Sequence, residues 1–358
     1  MTTATTPTEL IDTLADEHDV PWLDVLLIAT NAEGARSELD YPRSRMQLRP
    51  VGSDETWQVI LPLDNPESSF VLAEEGLLLG GERVAELVGL ENDDVVLTYL
   101  RAGGRSLTLN SNSRSTCTGC LFCPNVIEDA ADATLVTQHE LDNLLAWVEA
   151  DNGWSDLADV EVITVCSGCF HHPGAAVEHM TALRRAADDH GFTGRLHLLS
   201  SVVRDRRDLE ALATRAGPFH LTLTLECFTR RNLLLKDTKA SLTLDESCRI
   251  LDDCAALGML GDFTYVAGLD GYDPAVAGLL QLAPHVTTFP RIQVFQAHND
   301  FMRRARDSEA ADLAFFLRLR RAVEAAFTDR GHMLRSWENY RPLWYSTING
   351  LPVPGPRI

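Results

Sequence analysis

A chain of 358 residues is long enough to bury a full core, as one large domain or two unequal ones. Its 31 basic and 52 acidic residues leave a net charge of −21, which argues against nucleic acid or an anionic membrane as partner. No run approaches the roughly 18 apolar residues of a membrane span, and residues 1–6 lack the basic-then-apolar start of a secretory signal, so a cytoplasmic protein is expected.

Residues 1–100 read as a small α+β extension without a chemistry-bearing motif. Thr8 to Asp16 fits a short amphipathic helix, and the apolar run Trp22 to Ile28 a strand. Thr56 to Leu61 and Ser69 to Ala73 also read as strands. Gly80-Gly81 marks a turn, and Glu82 to Val88 suggests a short helix. Arg43 and Arg45 are expected on a solvated surface.

A hairpin follows, with Val95 to Leu100 and Arg105 to Leu109 flanking Ala102-Gly103-Gly104. From there strands and helices alternate. Thr137-Gln138-His139-Glu140 is a capping box, followed by Leu141, Leu144, Leu145 and Val148 at helical spacing. Strands are predicted at 160–165, 195–203, 219–225, 262–267 and 291–296. Helices are predicted at 177–190, 208–215, 244–257, 274–282 and 308–327. Six strand–helix units with short connections predict a parallel sheet with right-handed crossovers, as an open, partial barrel. In such barrels the chemistry gathers at the C-terminal ends of the strands. Cys117 to Cys123, Cys166 to Cys169, Ser200-Ser201, Glu226 and Gly268 all fall there. The tail, with Trp337, Tyr340, Trp344 and Tyr345, is expected to cover an open part of the barrel.

The chain has eight cysteines, all between 117 and 254, which is not a disulfide framework in a protein this long. In a reducing compartment clustered cysteines more often bind metal or react. Cys117, Cys120 and Cys123 are separated by two residues each. Three close thiolates suit an iron–sulfur cluster with one iron left open. A closed zinc site would need a fourth ligand from elsewhere. Cys166 and Cys169 form a second Cys-x-x-Cys, read as a second metal site, a substrate-facing thiol or simply small residues on a tight loop. Cys248 and Cys254, among Leu251, Ala255 and Leu257, read as core thiols.

Over roughly residues 100–300 the chain resembles the radical S-adenosylmethionine (SAM) superfamily. Cys120-Leu121-Phe122-Cys123 matches the second half of that family's Cys-x-x-x-Cys-x-aromatic-Cys motif, with Phe122 in the aromatic slot. The first half differs, since two residues rather than three separate Cys117 from Cys120. The resemblance implies an α/β fold, a partial (β/α)6 TIM-like barrel at 101–305. Residues 1–100 are then an N-terminal α+β extension, and 306–358 a C-terminal helix and aromatic tail. It implies a [4Fe–4S] cluster on Cys117, Cys120 and Cys123, and SAM bound through its amino and carboxylate groups at the open iron. Cys166-Ser167-Gly168 occupies the place of a strip that holds the SAM amino group. Ser200 ends the third strand at the same mouth. Glu226 sits where a polar residue binds the ribose, and Gly268 where adenine approaches the backbone. Arg230, Arg231 and Lys236 are candidates for the cation facing the SAM carboxylate, with a salt bridge to Glu226 as their other use.

The function this implies is reductive cleavage of SAM to start radical chemistry on a small molecule, in natural-product or cofactor biosynthesis. The electron comes from a donor such as flavodoxin or ferredoxin, and neither nucleic acid nor membrane is a partner. Two other readings are a non-catalytic zinc- or cluster-binding protein with a structural or redox-sensing role, and a metal-free barrel hydrolase or isomerase using Glu226 and His172. The substrate, the SAM bond that breaks and the oligomeric state are not legible.

Overall fold

The computed structural model describes residues 7–37, 43–63, 65–92, 98–111, 120–123, 135–166, 170–339 and 341–358. Two helices, α1 (Pro7–His18) and α2 (Trp22–Glu33), precede five strands: β1 (Arg43–Pro50), β2 (Trp57–Pro62), β3 (Phe70–Ala73), β4 (Gly76–Leu79) and β5 (Glu82–Asn92). These strands form an antiparallel sheet in the order β2-β1-β5-β4-β3.

Two expectations for this region are corrected. Trp22 to Ile28 is helical, the start of α2, not a strand. Residues 24–32 are buried on every face, so no 3.6-residue stripe survives to mark the helix. Glu82 to Val88 is strand, part of β5, not a helix. Its pairing skips Val84 against β4 and Val88 against β1. Two bulges therefore erase the alternation that identifies a strand.

The second sheet is built from β6 (Thr98–Arg101), β7 (Ser106–Leu109), β8 (Val162–Val165), β9 (Arg195–Ser200), β10 (Phe219–Glu226), β11 (Leu260–Ala267) and β12 (Arg291–Val294). The seven described strands lie in sequence order. β6 and β7 are the expected hairpin, and β7 to β12 are parallel. Helices α3 (Gln138–Asn152), α4 (Pro173–Asp189) and α5 (Arg206–Arg215) follow β7, β8 and β9. Short α6 (Arg231–Leu234) and α7 (Asp237–Ala240), then α8 (Leu244–Ala256), follow β10. α9 (Tyr272–Leu282) follows β11, and α10 (Asp300–Arg303) and α11 (Leu313–Thr328) follow β12. The Thr137 capping box that starts α3 is present in both directions. The expected single helix from Ser308 is divided: a 3₁₀ turn at Ser308–Ala311 ends before Asp312, whose side chain caps α11. No helix among the described residues is long and apolar enough to cross a membrane.

Register separates two faces. Leu107, Ile163, Leu196, Leu221, Phe263 and Ile292 face the helices and form one core with them. The other face is polar and carries Arg101, Thr108, Thr164, His197, Thr222, Asp262 and Arg291. The sheet curls around this face. Six strand spacings would hold β6 and β12 about 29 Å apart if flat. Instead, the Trp337 carbonyl accepts from Arg101 Nη1 on β6 (2.9 Å), and two residues on Asn339 Nδ2 donates to the Ile292 carbonyl on β12 (3.2 Å). Val294 N then donates to the Arg341 carbonyl at 2.7 Å. The tail is thus a strap across the seam between the two edge strands.

The strap is pinned by one buried ion pair. Asp24 on α2 and Arg320 on α11 are in direct contact. Asp24 also accepts from the backbone of Tyr345 (3.1 Å) and Ser346 (2.8 Å). Arg320 donates to the carbonyls of Leu343 (2.9 Å) and Thr347 (2.6 Å). Removing one partner leaves a buried charge uncompensated. We therefore expect Asp24→Ala to cost about 3–5 kcal/mol in urea unfolding and to expose the chain beyond Thr328 to protease. A loss indistinguishable from a surface substitution would contradict this role for the pair.

Candidate functional site

The cysteine loop is fastened at its base. Leu135 N donates to the Ser111 carbonyl (3.0 Å), and Ser111 Oγ lies 2.9 Å from His179 Nε2 on α4. Burial lowers the His179 pKa to about 4, with hydrogen bonding to the Leu135 backbone working the other way. The ring is therefore neutral near pH 7.

Cys117 lies outside the described residues, as do Ser167, Gly168, Cys169 and Tyr340. Cys120, Phe122 and Cys123 are described and form one tight turn, with Cys123 N donating to the Cys120 carbonyl at 3.1 Å. Leu121 N donates to the Leu234 carbonyl at 2.9 Å, which ties the turn to the loop after β10. Cys120 and Phe122 are buried in a small apolar cluster with Cys227, Leu234, Leu235, Val266, Leu269, Phe295 and Met302, and Cys123 packs against it. These neighbours come from the C-terminal ends of β10, β11 and β12. Burial pushes the Cys227 thiol up to about 12, and Asp270 adds to the effect, so Cys227 is a neutral neighbour of the turn. Among the described residues no three His, Cys, Asp or Glu side chains are gathered to hold a metal.

Glu226 ends β10 at φ 71°, a left-handed conformation that costs a non-glycine residue and must be held by its surroundings. Arg231 supplies much of that hold. Its guanidinium donates to the carbonyls of Leu225 (2.7 Å), Cys227 and Lys239 (2.6 Å). The partner of Glu226 is Lys239, 2.9 Å away, rather than Arg230, Arg231 or Lys236. Arg230 donates to the carbonyls of Leu269 and Ala305 (3.1 Å) and lies 4.0 Å from Asp307. Lys236 caps α7 through its backbone, and no partner for its ammonium is found among the described residues. Ser200 Oγ accepts from Val202 N at 3.2 Å. Gly268, at φ 104°, faces Ala310, Phe316 and Phe295, so its open side is filled by the chain itself.

Cys166 follows β8 and faces the enclosed side of the sheet. Its side chain is exposed, while the residues before it on β8 are buried or half-buried. Burial raises its pKa, while Arg101 acts in the opposite direction. Its Sγ is 3.5 Å from Asn110 Oδ1. Deeper on the same face lies a polar network that the sequence reading missed. His197 contacts Thr164 Oγ1 (3.0 Å) and Thr222 Oγ1 (2.8 Å), and stacks on His220 with centroids 4.1 Å apart. Arg291 Nη1 donates to Asp262 Oδ2 at 2.7 Å. Burial holds His197 well below the usual histidine range, and His220 and the nearby arginines push the same way. The signal was present in His220, Thr222 and Thr224, polar residues alternating with leucines along a wholly buried strand.

At the mouth, Arg341 donates to Gln293 Oε1 (3.1 Å) and Gln296 Oε1 (3.3 Å). Burial lowers its pKa to about 10, Arg43 adds to this, and Cys123 and Glu226 oppose it. Arg43 is therefore close enough to act on Arg341, and Arg45 is largely buried. Neither fits the expected solvated surface, because the strap brings the first sheet over the seam.

No family model matches the chain, and no curated protein does. Among solved structures, Streptococcus suis SuiB bound to S-adenosylmethionine is similar, with TM-score 0.41 and 14% identity. The match covers 59% of this chain and 45% of that one. A likeness this distant assigns no role to any residue here.

The loop base makes stability depend on pH. His179 titrates near 6.5 when unfolded and about 4 when folded, so the unfolded state binds the extra proton between those values. Its contribution is complete above 6.5 and is lost as pH falls towards 4. We expect His179→Gln to unfold with a pH slope shallower by about 1.4 kcal/mol per pH unit across that window, measured by urea titration. Identical slopes would contradict a buried neutral ring.

Proposed function

We propose that the chain is a radical SAM enzyme acting on a small molecule, with residues 101–305 as a partial (β/α)6 barrel. Residues 1–100 are its N-terminal extension, and 306–358 its closing helix and strap. The observation that carries this reading is one turn at the C-terminal mouth of a curled parallel sheet that buries Cys120 and packs the part-buried Cys123 against the same apolar cluster, next to the end of β10. Two thiols on a fixed turn under an apolar shell fit a cluster that must be kept from water. Cys117 is the third proposed ligand.

When bound, a [4Fe–4S] cluster supplies the electron that breaks a carbon–sulfur bond of SAM. The chain's own residues bind and exclude. Phe122 and the leucines of the loop after β10 keep water from the thiolates. Glu226 receives the ribose diol as its second partner beside Lys239. Cys166 and Ser200 border the remaining cofactor surface, with Lys236 and Arg230 beside the SAM carboxylate, while Gly268, filled by Ala310, Phe316 and Phe295, does not take the adenine. Cys166, exposed at the C-terminal end of β8, faces the substrate, and the buried network around His197 supports that face from beneath. The electron donor is a small redox protein such as flavodoxin or ferredoxin, and the setting is biosynthesis in the cytoplasm.

Anaerobic reconstitution tests the reading. About four irons per chain are expected. Cys123→Ala should lose the iron, while Cys254→Ala, which alters only a core thiol, should keep it. With dithionite, SAM should yield 5′-deoxyadenosine or 5′-methylthioadenosine, according to the bond broken. A colourless protein with one zinc that ignores SAM would overturn the reading and leave the structural-metal alternative.

A further inference from the structure

The mouth holds a second constellation that the cofactor reading does not use. Arg341 enters it from the strap, beyond the strip formed by the ends of β8 to β11. Its guanidinium is held from behind by a chain of amides. Gln293 and Gln296 accept from it, and Gln296 Nε2 donates in turn to Asn31 Oδ1 and the Ile60 carbonyl, both at 2.7 Å. Asn31 donates to the Leu27 carbonyl (2.7 Å) and to the Tyr345 hydroxyl. Helix α2, strand β2, the loop after β12 and the strap all contribute to fixing one cation. Such a scaffold resembles a ligand clamp more than a surface arginine.

His298 lies on the same loop and is 3% exposed. Among the described residues no hydrogen-bond partner meets its Nε2. A buried imidazole nitrogen without a partner costs free energy unless something else satisfies it. The charges acting on His298 are Arg43 and Arg341, which hold it neutral together with burial. His298 stands two residues beyond Gln296, whose side chain holds Arg341, so the orphan nitrogen and the guanidinium share one loop. Glu226, whose charge acts on Arg341, is itself paired with Lys239.

We propose that Arg341 and His298 form the subsite for an oxyanion of the substrate, a carboxylate or a phosphate. The guanidinium offers two parallel N–H donors, the geometry that a carboxylate or phosphate oxygen pair accepts. The imidazole adds a third contact. The substrate's anionic end is then held at the strap, and its remainder extends towards Glu226 and the cysteine turn. That the occupant is a substrate rests on the radical SAM reading; the anion site itself does not.

The test uses the reconstituted full-length protein and three probes: acetate, inorganic phosphate and SAM. The dose dependence of the melting temperature is followed against chloride at equal ionic strength. Acetate or phosphate should raise it saturably, and the stronger of the two names the anion class. Arg341→Gln and His298→Phe should each weaken that anion by about tenfold to a hundredfold, as expected for lost hydrogen bonds to a charge. SAM affinity should stay within about twofold. Arg341→Lys, which keeps the charge without the fork, should fall between, and it decides the matter with His298→Phe if Arg341→Gln does not fold. The proposal is overturned if both anions behave as chloride, or if the variants bind them as well as the parent does. Parallel loss of SAM in Arg341→Gln also overturns it, since the guanidinium would then hold the cofactor's carboxylate. Arg341-dependent anion binding in a protein that ignores SAM would uphold the subsite and sink only the radical reading.

Discussion

The contact between Asp24 and Arg320 governs how the rest of the molecule is arranged. Neither group is stable alone where it lies, so helix α2, helix α11 and residues 343–347 must meet together. Once they meet, the strap before them lies across the seam between β6 and β12. A parallel sheet of this length would otherwise leave its polar concave face open to water along one side. Closing the seam buries most of that face, and the electrostatics follow. His197, His298 and Cys166 are all pushed towards their neutral forms by the same loss of water.

The loop after β10 is held by its own hydrogen bonds and by Asp270. Arg231 donates to three backbone carbonyls around Glu226, and Asp270 accepts from the backbone of Phe228 and Thr229 at 2.8 Å each. The loop after β10 thus has few unsatisfied groups and holds a strained Glu226 in place. The cysteine turn rests on that loop through Leu121 and Leu234. Position passes from the sheet to the loop after β10, and from that loop to the thiols.

Much of this was legible in the sequence where a local rule and the tertiary environment agree. The Thr137 capping box, the Gly103-Gly104 hairpin and the alternating strands and helices beyond residue 100 are such places. The errors arise where burial or bulging removes the period. Helix α2 is apolar on all sides, and β5 carries two bulges. The partner of Glu226 is Lys239, three residues beyond Lys236 and eight or nine beyond the two arginines. α7 turns Lys239 inward, and no periodicity fixes the exit of a four-residue helix. The anchoring of Arg341 was not legible at all. It depends on Gln293, Gln296 and Asn31 meeting across distances of about 50 to 310 residues in sequence, and only the assembled strap brings them together.

The central claim is that the cysteine turn proposed as a cluster site is a redox centre next to a cofactor site. The most direct measurement is electron paramagnetic resonance of the anaerobically reconstituted, dithionite-reduced protein, recorded with and without SAM. The account predicts the half-integer signal of a reduced [4Fe–4S] cluster, shifted when SAM takes the open iron. A spectrum without such a signal, or one that SAM leaves unchanged, would contradict it.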